Sequence, residues 1–178
     1  MAAAITPEAA VLSEAAPAQK PVKDKLVIFA WSGELDKIWP TLILATTSAA
    51  MGTETIVFFT FWGLFPLVRE DAGITGQNWM QKMLAVMNKG GTEHLRLSKM
   101  NFAGMGPAMM QSLARKNGVA SPKELLEAAL EMGVKLIPCQ MTMDMMGLRR
   151  EDLIDGLEEP AGATTALLEA QGANTLFI

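Results

Sequence analysis

The chain has 178 residues, half of them apolar and 19% charged, with a net charge of −4. That is a natural size for one domain with a real core, and an acidic balance whose longest basic cluster is Arg149–Arg150 argues against nucleic acid as a main partner. A single cysteine, Cys139, and a single histidine, His94, exclude an intramolecular disulfide and a zinc site built from Cys and His.

Residues 1–23 are rich in Ala, Pro and Glu without a sustained period, and are expected to form a disordered tail ahead of one domain over 24–178. They show neither a basic n-region nor an uninterrupted apolar h-region, so the expected compartment is the cytoplasm. "KLVIFAW", residues 25–31, has no polar alternation and suits a strand buried on both faces. Ser32, Gly33 and Asp36 then supply turn and cap residues. Leu35, Ile38, Leu42, Ala45 and Ala49 recur at helical spacing, with Gly52 as the C′ residue. Pro40 must lie in the first turn of that helix or kink it.

A second apolar strand is expected near residues 55–60. Strand, helix, strand at this spacing implies a βαβ unit and a parallel sheet. The stretch 38–68 is the most apolar in the chain, but Thr53, Glu54 and Thr55 divide it into halves too short to span a bilayer. The reading leaves room for peripheral membrane contact and not for an integral span.

Over 63–118 the pattern is less regular. Helices are expected over 79–89 and 106–118, with a long glycine-flanked loop between them and a fifth strand near "LRL", residues 95–97. The last third is clearly punctuated: Ser121, Pro122 and Glu124 form a capping box, "VKLIPC" reads as a strand, "REDLIDGL" and "GATTALLEAQ" read as helices, and "NTLFI" reads as a last strand. The expected fold class is α/β, an open and mainly parallel sheet with helices on both faces.

Ligands of such sheets sit outside the carboxyl ends of the strands. "SGELD" after the first strand, "WGLF" after the second and Cys139 after the third should meet there. A thiol in that turn, with Thr142 as N-cap of "MDMMG", would favour the thiolate. Equally, unpaired cysteines are among the most buried residues and mostly inert. The residues alone leave both readings open, and exposure of the thiol separates them. Met80, Met83, Met87, Met109 and Met110 read as packing residues. Met141, Met143, Met145 and Met146 surround the thiol in sequence and could shield it. A Cu(I) site there lacks the neighbouring His or second Cys it would need. His94 has no fixed distance to Cys139, and Asp144 and Glu34 read as helix-capping or solubilising residues. "NKGG" and "GMGP" lack the context of a phosphate loop. No cofactor and no metal is expected.

The strings "ATTSAAMGTETIVFFTFWGL", "LSKMNFAGMG", "GVKLIPCQMTMDMMGL" and the terminal "NTLFI" resemble the DsrE/DsrF/DsrH-like sulfur-relay family, over about residues 25–178. They are most similar to its larger branch, associated with TusA-like and rhodanese-like proteins. The resemblance implies a compact, flavodoxin-like three-layer fold, a homo-oligomer, and a cysteine carrying sulfane sulfur as a persulfide. Only Cys139 matches that cysteine, and Thr142, Asp144 and Gly147 match the surrounding motif without an assigned role. No second thiol exists for a relay within one subunit. Members of the larger branch are often membrane-associated, which the divided segment at 38–68 does not support as a span. The expected function is therefore a sulfur carrier or sulfurtransferase exchanging sulfur with TusA-like and rhodanese-like partners. The alternative is a non-catalytic oligomeric binding protein whose cysteine packs. A thiol peroxidase ranks last, since Leu136 stands where a Thr-x-x-Cys motif needs threonine.

Overall fold

The computed structural model describes residues 24–72, 79, 81 and 90–178. The tail expected over 1–23 and most of the helix expected over 79–89 lie outside the described residues.

Four parallel strands form one sheet in the order β3-β2-β1-β4. They are β1 (Lys25–Ala30), β2 (Glu54–Phe59), β3 (Lys135–Pro138) and β4 (Asn174–Phe177). The expected βαβ unit is present: β1 leads through α1 (Leu35–Ala50) to β2, and Lys25 to Ala30 pair in register with Glu54 to Phe59. Further α-helices among the described residues include α2 (Met105–Lys116), α3 (Pro122–Glu131), α4 (Gln140–Met146) and α5 (Ala163–Glu169).

Strands β1 and β2 lack polar alternation because both faces of the sheet are covered. On one face Ile28, Ala30, Val57, Phe59 and Leu136 pack with Leu35, Ile38, Leu42 and Ala45 of α1 and with Leu126 and Ala129 of α3. On the other, Val27, Ile56, Phe58, Ile137 and Cys139 pack with Ala166 of α5. Local chemistry sets the helix ends as expected. Gly52, at φ 82°, follows the last turn of α1, and its N–H donates to the Ala49 carbonyl. Ser121 Oγ accepts from the Glu124 N–H while the Glu124 carboxylate accepts from the Ser121 N–H at 2.7 Å, completing the box that starts α3. Pro40 sits at neither a helix end nor a break: α1 runs through it.

Two expectations are corrected. Residues 95–97 form no strand; the Arg96 carbonyl instead accepts the Leu35 N–H at 2.8 Å and anchors the segment to the start of α1. "REDLIDGL" is a single 3₁₀ turn, Arg150–Asp152, rather than a helix. Its backbone is committed elsewhere: the Asp152 carbonyl accepts from Arg69, the Ile154 N–H donates to Leu67, and Leu153 bridges Val68 in antiparallel fashion. Long-range pairing outcompetes the helical period there.

After β2 the chain folds straight into a 3₁₀ segment, Phe61–Leu67, lying across the exit of β1. Glycines make that approach. A Cβ at Gly63 would sit 2.2 Å from the Ala30 carbonyl oxygen, and one at Gly33 would sit 2.4 Å from that of Trp62. No side chain fits at either position.

Candidate functional site

The register of the sheet builds the site. Phe59 of β2 pairs with Pro138 of β3, so Thr60 and Cys139 leave the sheet side by side at its carboxyl edge. Cys139 is still held to the sheet, since its N–H donates to the Phe59 carbonyl at 2.9 Å. Its own carbonyl already accepts the Met143 N–H at 3.0 Å, which makes Cys139 the N-cap of α4.

The expected N-cap was Thr142, and this is corrected: Thr142 lies inside α4, buried, with its hydroxyl turned to the neighbouring strand exit. The Phe61 N–H donates to Thr142 Oγ at 3.0 Å, and Thr60 Oγ lies 3.2 Å from the same oxygen. Phe61 adopts φ 51°, a left-handed conformation unusual for a non-glycine residue. That conformation lets the chain turn sharply after β2 and present its N–H to Thr142.

Cys139 is 2% exposed, as a packing residue would be. Its surroundings also include hydrogen-bond donors. Burial pushes the thiol pKa up, but hydrogen bonds from the Thr142 and Thr60 hydroxyls and from the N–H groups of Thr142 and Met141 outweigh it. The net effect holds Cys139 below the ordinary thiol value. Neutral donors do this; His94, exposed in the turn Thr92–His94, is not among them.

The other residues singled out by sequence have structural partners. Asp144 is exposed and accepts from Gln140 Nε2 at 2.8 Å. Glu34 closes the turn before α1 with Ser32, whose Oγ accepts the Glu34 N–H. Asp36 accepts both the N–H and the hydroxyl of Ser98. Burial acts to raise its pKa, and the Ser98 hydrogen bonds bring it below the usual carboxylate value. The methionines divide. Met143 and Met146 are buried in the main core, on a cluster separate from that of Cys139, while Met141 and Met145 are exposed. A closed methionine shell around the sulfur is therefore not what this sequence builds. Among the described residues no group of three or more His, Cys, Asp or Glu side chains is placed to hold a metal, and no helix is long and apolar enough to cross a membrane.

Sequence reasoning passed over Thr60. A signal existed: a lone hydroxyl in "FFTFWGLF", at the carboxyl edge and level with the thiol on the neighbouring strand.

Comparison with known proteins agrees with the fold. The crystal structure of the YchN protein from E. coli superposes with a TM-score of 0.54 at 14% identity, covering 87% of this chain and 99% of that one; the likeness is one of fold. The YrkE protein of Bacillus subtilis (strain 168) is 39% identical over 155 residues, spanning 86% of this chain and 96% of its own. The sulfur carrier protein DsrE2 of Allochromatium vinosum is 37% identical over 163 residues, with the same coverage. The model of the DsrE/DsrF/DrsH-like family matches residues 22–178, the whole sheet and the cysteine turn included. By fold, by near relatives and by the extent of that match, the chain belongs to the DsrE/DsrF/DrsH-like family.

Proposed function

We propose that this protein is a sulfur carrier that holds sulfane sulfur on Cys139 as a persulfide and exchanges it with thiols of partner proteins in sulfur trafficking. The observation that carries the reading is the cluster of donors around the one thiol. A sulfur carrier needs a thiolate, and a packing cysteine has no use for two hydroxyls, one buried and one half-buried, and two N–H groups whose hydrogen bonds hold its pKa down. The relative named as a sulfur carrier gives the cargo.

In loading, the Cys139 thiolate attacks the outer sulfur of a donor persulfide. The donor's inner S–S bond breaks, its electron pair leaves with the donor as thiolate, and the transferred sulfur keeps its proton. Unloading to an acceptor thiolate is the same exchange in reverse. No general acid, metal or cofactor is required. Since the thiol is 2% exposed, exchange needs a local opening at the strand exit, which is the ordinary behaviour of low-stability segments. TusA-like and rhodanese-like proteins, expected from the family, fit as the donors and acceptors, and the cytoplasm as the reducing compartment in which a lone thiol stays free. Apolar side chains exposed beside the site, among them Phe61 and Met141, suit either such a partner or another copy of the chain.

The burial of Cys139 favours one other reading, a binding protein in which the cysteine only packs. Intact mass after incubation with polysulfide, alone or with a rhodanese and thiosulfate, separates the two. A gain of about 32 Da, the mass of one sulfur, on wild type and not on Cys139→Ser supports the carrier. A folded wild type that gains no mass under any of these conditions overturns it.

A further inference from the structure

The arrangement at the exits of β2 and β3 does more than position the thiol. Thr142 Oγ is fixed at one end, because the Phe61 N–H occupies one of its acceptor sites at 3.0 Å. Its other close neighbour is Thr60 Oγ at 3.2 Å; Thr60 leaves β2 beside Cys139, and hydrogen bonds from both hydroxyls act to lower the thiol pKa. A hydroxyl has one proton to give. If Thr60 donates to Thr142, then Thr142 already accepts twice and its own proton is left for the sulfur. If Thr142 donates to Thr60, the Thr60 proton is. In either orientation the pair delivers an O–H to Cys139.

We propose that Thr142 and Thr60, locked by the Phe61 N–H, form a two-hydroxyl relay that stabilises the Cys139 thiolate as the leaving group when sulfur is handed on. The assignment rests on the sulfur-carrier reading and adds catalytic residues to it. In unloading, the acceptor nucleophile bonds to the outer sulfur of Cys139–Sγ–SH and the Sγ–S bond breaks. The electron pair stays on Sγ, where the relay receives it, and the proton remains on the transferred sulfur. Sulfur changes hands with no external oxidant or reductant. A leaving thiolate of lower basicity departs faster, whereas an attacking thiolate loses intrinsic nucleophilicity as its basicity falls. The relay therefore serves unloading more than loading. No charged group among the described residues contributes to the lowered thiol pKa, and the carboxylate on the same helix, Asp144, is exposed and engaged by Gln140.

The test uses the full chain loaded with one sulfur and cyanide as acceptor, which takes the outer sulfur as thiocyanate and releases the Cys139 thiolate and a proton. Single-turnover thiocyanate release is measured for wild type, Thr142→Val, Thr142→Ser and Thr60→Val, with the pH profile of iodoacetamide alkylation of the unloaded proteins. Thr142→Val should release thiocyanate about tenfold more slowly, the worth of one hydrogen bond to a charged group. Its alkylation profile should move to higher pH, and Thr142→Ser should restore both. A purely structural threonine would leave the alkylation profile in place. A folded Thr142→Val with wild-type release and an unmoved profile overturns the relay. Should that variant not fold, Thr60→Val decides the same way, since it removes one of the sulfur's two hydroxyl donors. A wild type that takes up no sulfur defeats the carrier reading alone, and the alkylation profiles still decide whether the hydroxyls govern the thiol.

Discussion

The two faces of the sheet are built differently. One is covered by the 16 residues of α1 and the 10 of α3, with large aliphatic side chains meeting Ile28, Val57, Phe59 and Leu136. Among the described residues the other is covered by α5, seven residues long, which reaches it with Ala166. Ala161, Ala170 and Ala173 flank that contact. On this thinner face a row of rings, Phe58, Phe29, Phe177 and Trp31, runs from buried to open, with Phe177 72% exposed. Cys139 belongs to the thin face. A thiol under small side chains and one short helix can be buried on average and still be reached by a modest opening, because little apolar area separates there. Placed on the thick face, it would be reached only by unfolding.

Adjacent residues of β2 put that contrast to its severest test. Phe59 points to the thick face and is fully buried, while Phe58 points to the thin one. Phe59→Ala should cost about 4–5 kcal/mol in a denaturant melt, the upper part of the range for such truncations. Phe58→Ala should cost nearer about 3 kcal/mol, yet raise the rate of Cys139 alkylation under native conditions. Equal losses together with equal alkylation rates would erase the distinction between the faces.

A smaller effect serves as its control. Ser121 caps α3 on the thick face, and Ser121→Ala removes one side of the capping box, worth about 1 kcal/mol. Thermal or denaturant unfolding should show that loss while the alkylation rate of Cys139 stays at the wild-type value. A faster rate would mean that the two faces open together.

The contrast also shows what the sequence could carry. Buried strands announce themselves as unbroken apolar runs, so β1, β2 and β3 were legible from "KLVIF", "TIVFF" and "KLIP". Helices with their own caps, α1 and α3, were legible for the same local reason. Residues 150–157 were not, because a helical period there loses to backbone pairing with residues 67–69, which no local pattern reports. The placement of Cys139 at the carboxyl edge followed from topology, but its neighbours did not. Thr60 and Thr142 are 82 residues apart and meet only through the β2–β3 register. Starting α4 after Thr142 instead of at Gln140 also left Met141 outside the helix. With the helix begun correctly, Met143 and Met146 fall three apart on its inner face, and Met141 and Met145 fall four apart on its outer one.

The least effect expected is on stability against pH, and its sign is what matters. The folded state holds the Cys139 thiol below its ordinary value, through the threonine hydroxyls and N–H groups that outweigh burial. Between the folded and unfolded pKa values the unfolded chain therefore binds more protons than the native one, and stability rises with pH. The contribution is complete above the unfolded thiol pKa and disappears as pH falls through the folded one. Cys139→Ser has no such term. The difference in unfolding free energy between wild type and Cys139→Ser, measured by denaturant melts in a pH series, should grow in favour of wild type as pH rises through the thiol range. A difference that shrinks would mean that burial dominates the sulfur, and the thin face would then hold an ordinary packed cysteine like any on the thick one.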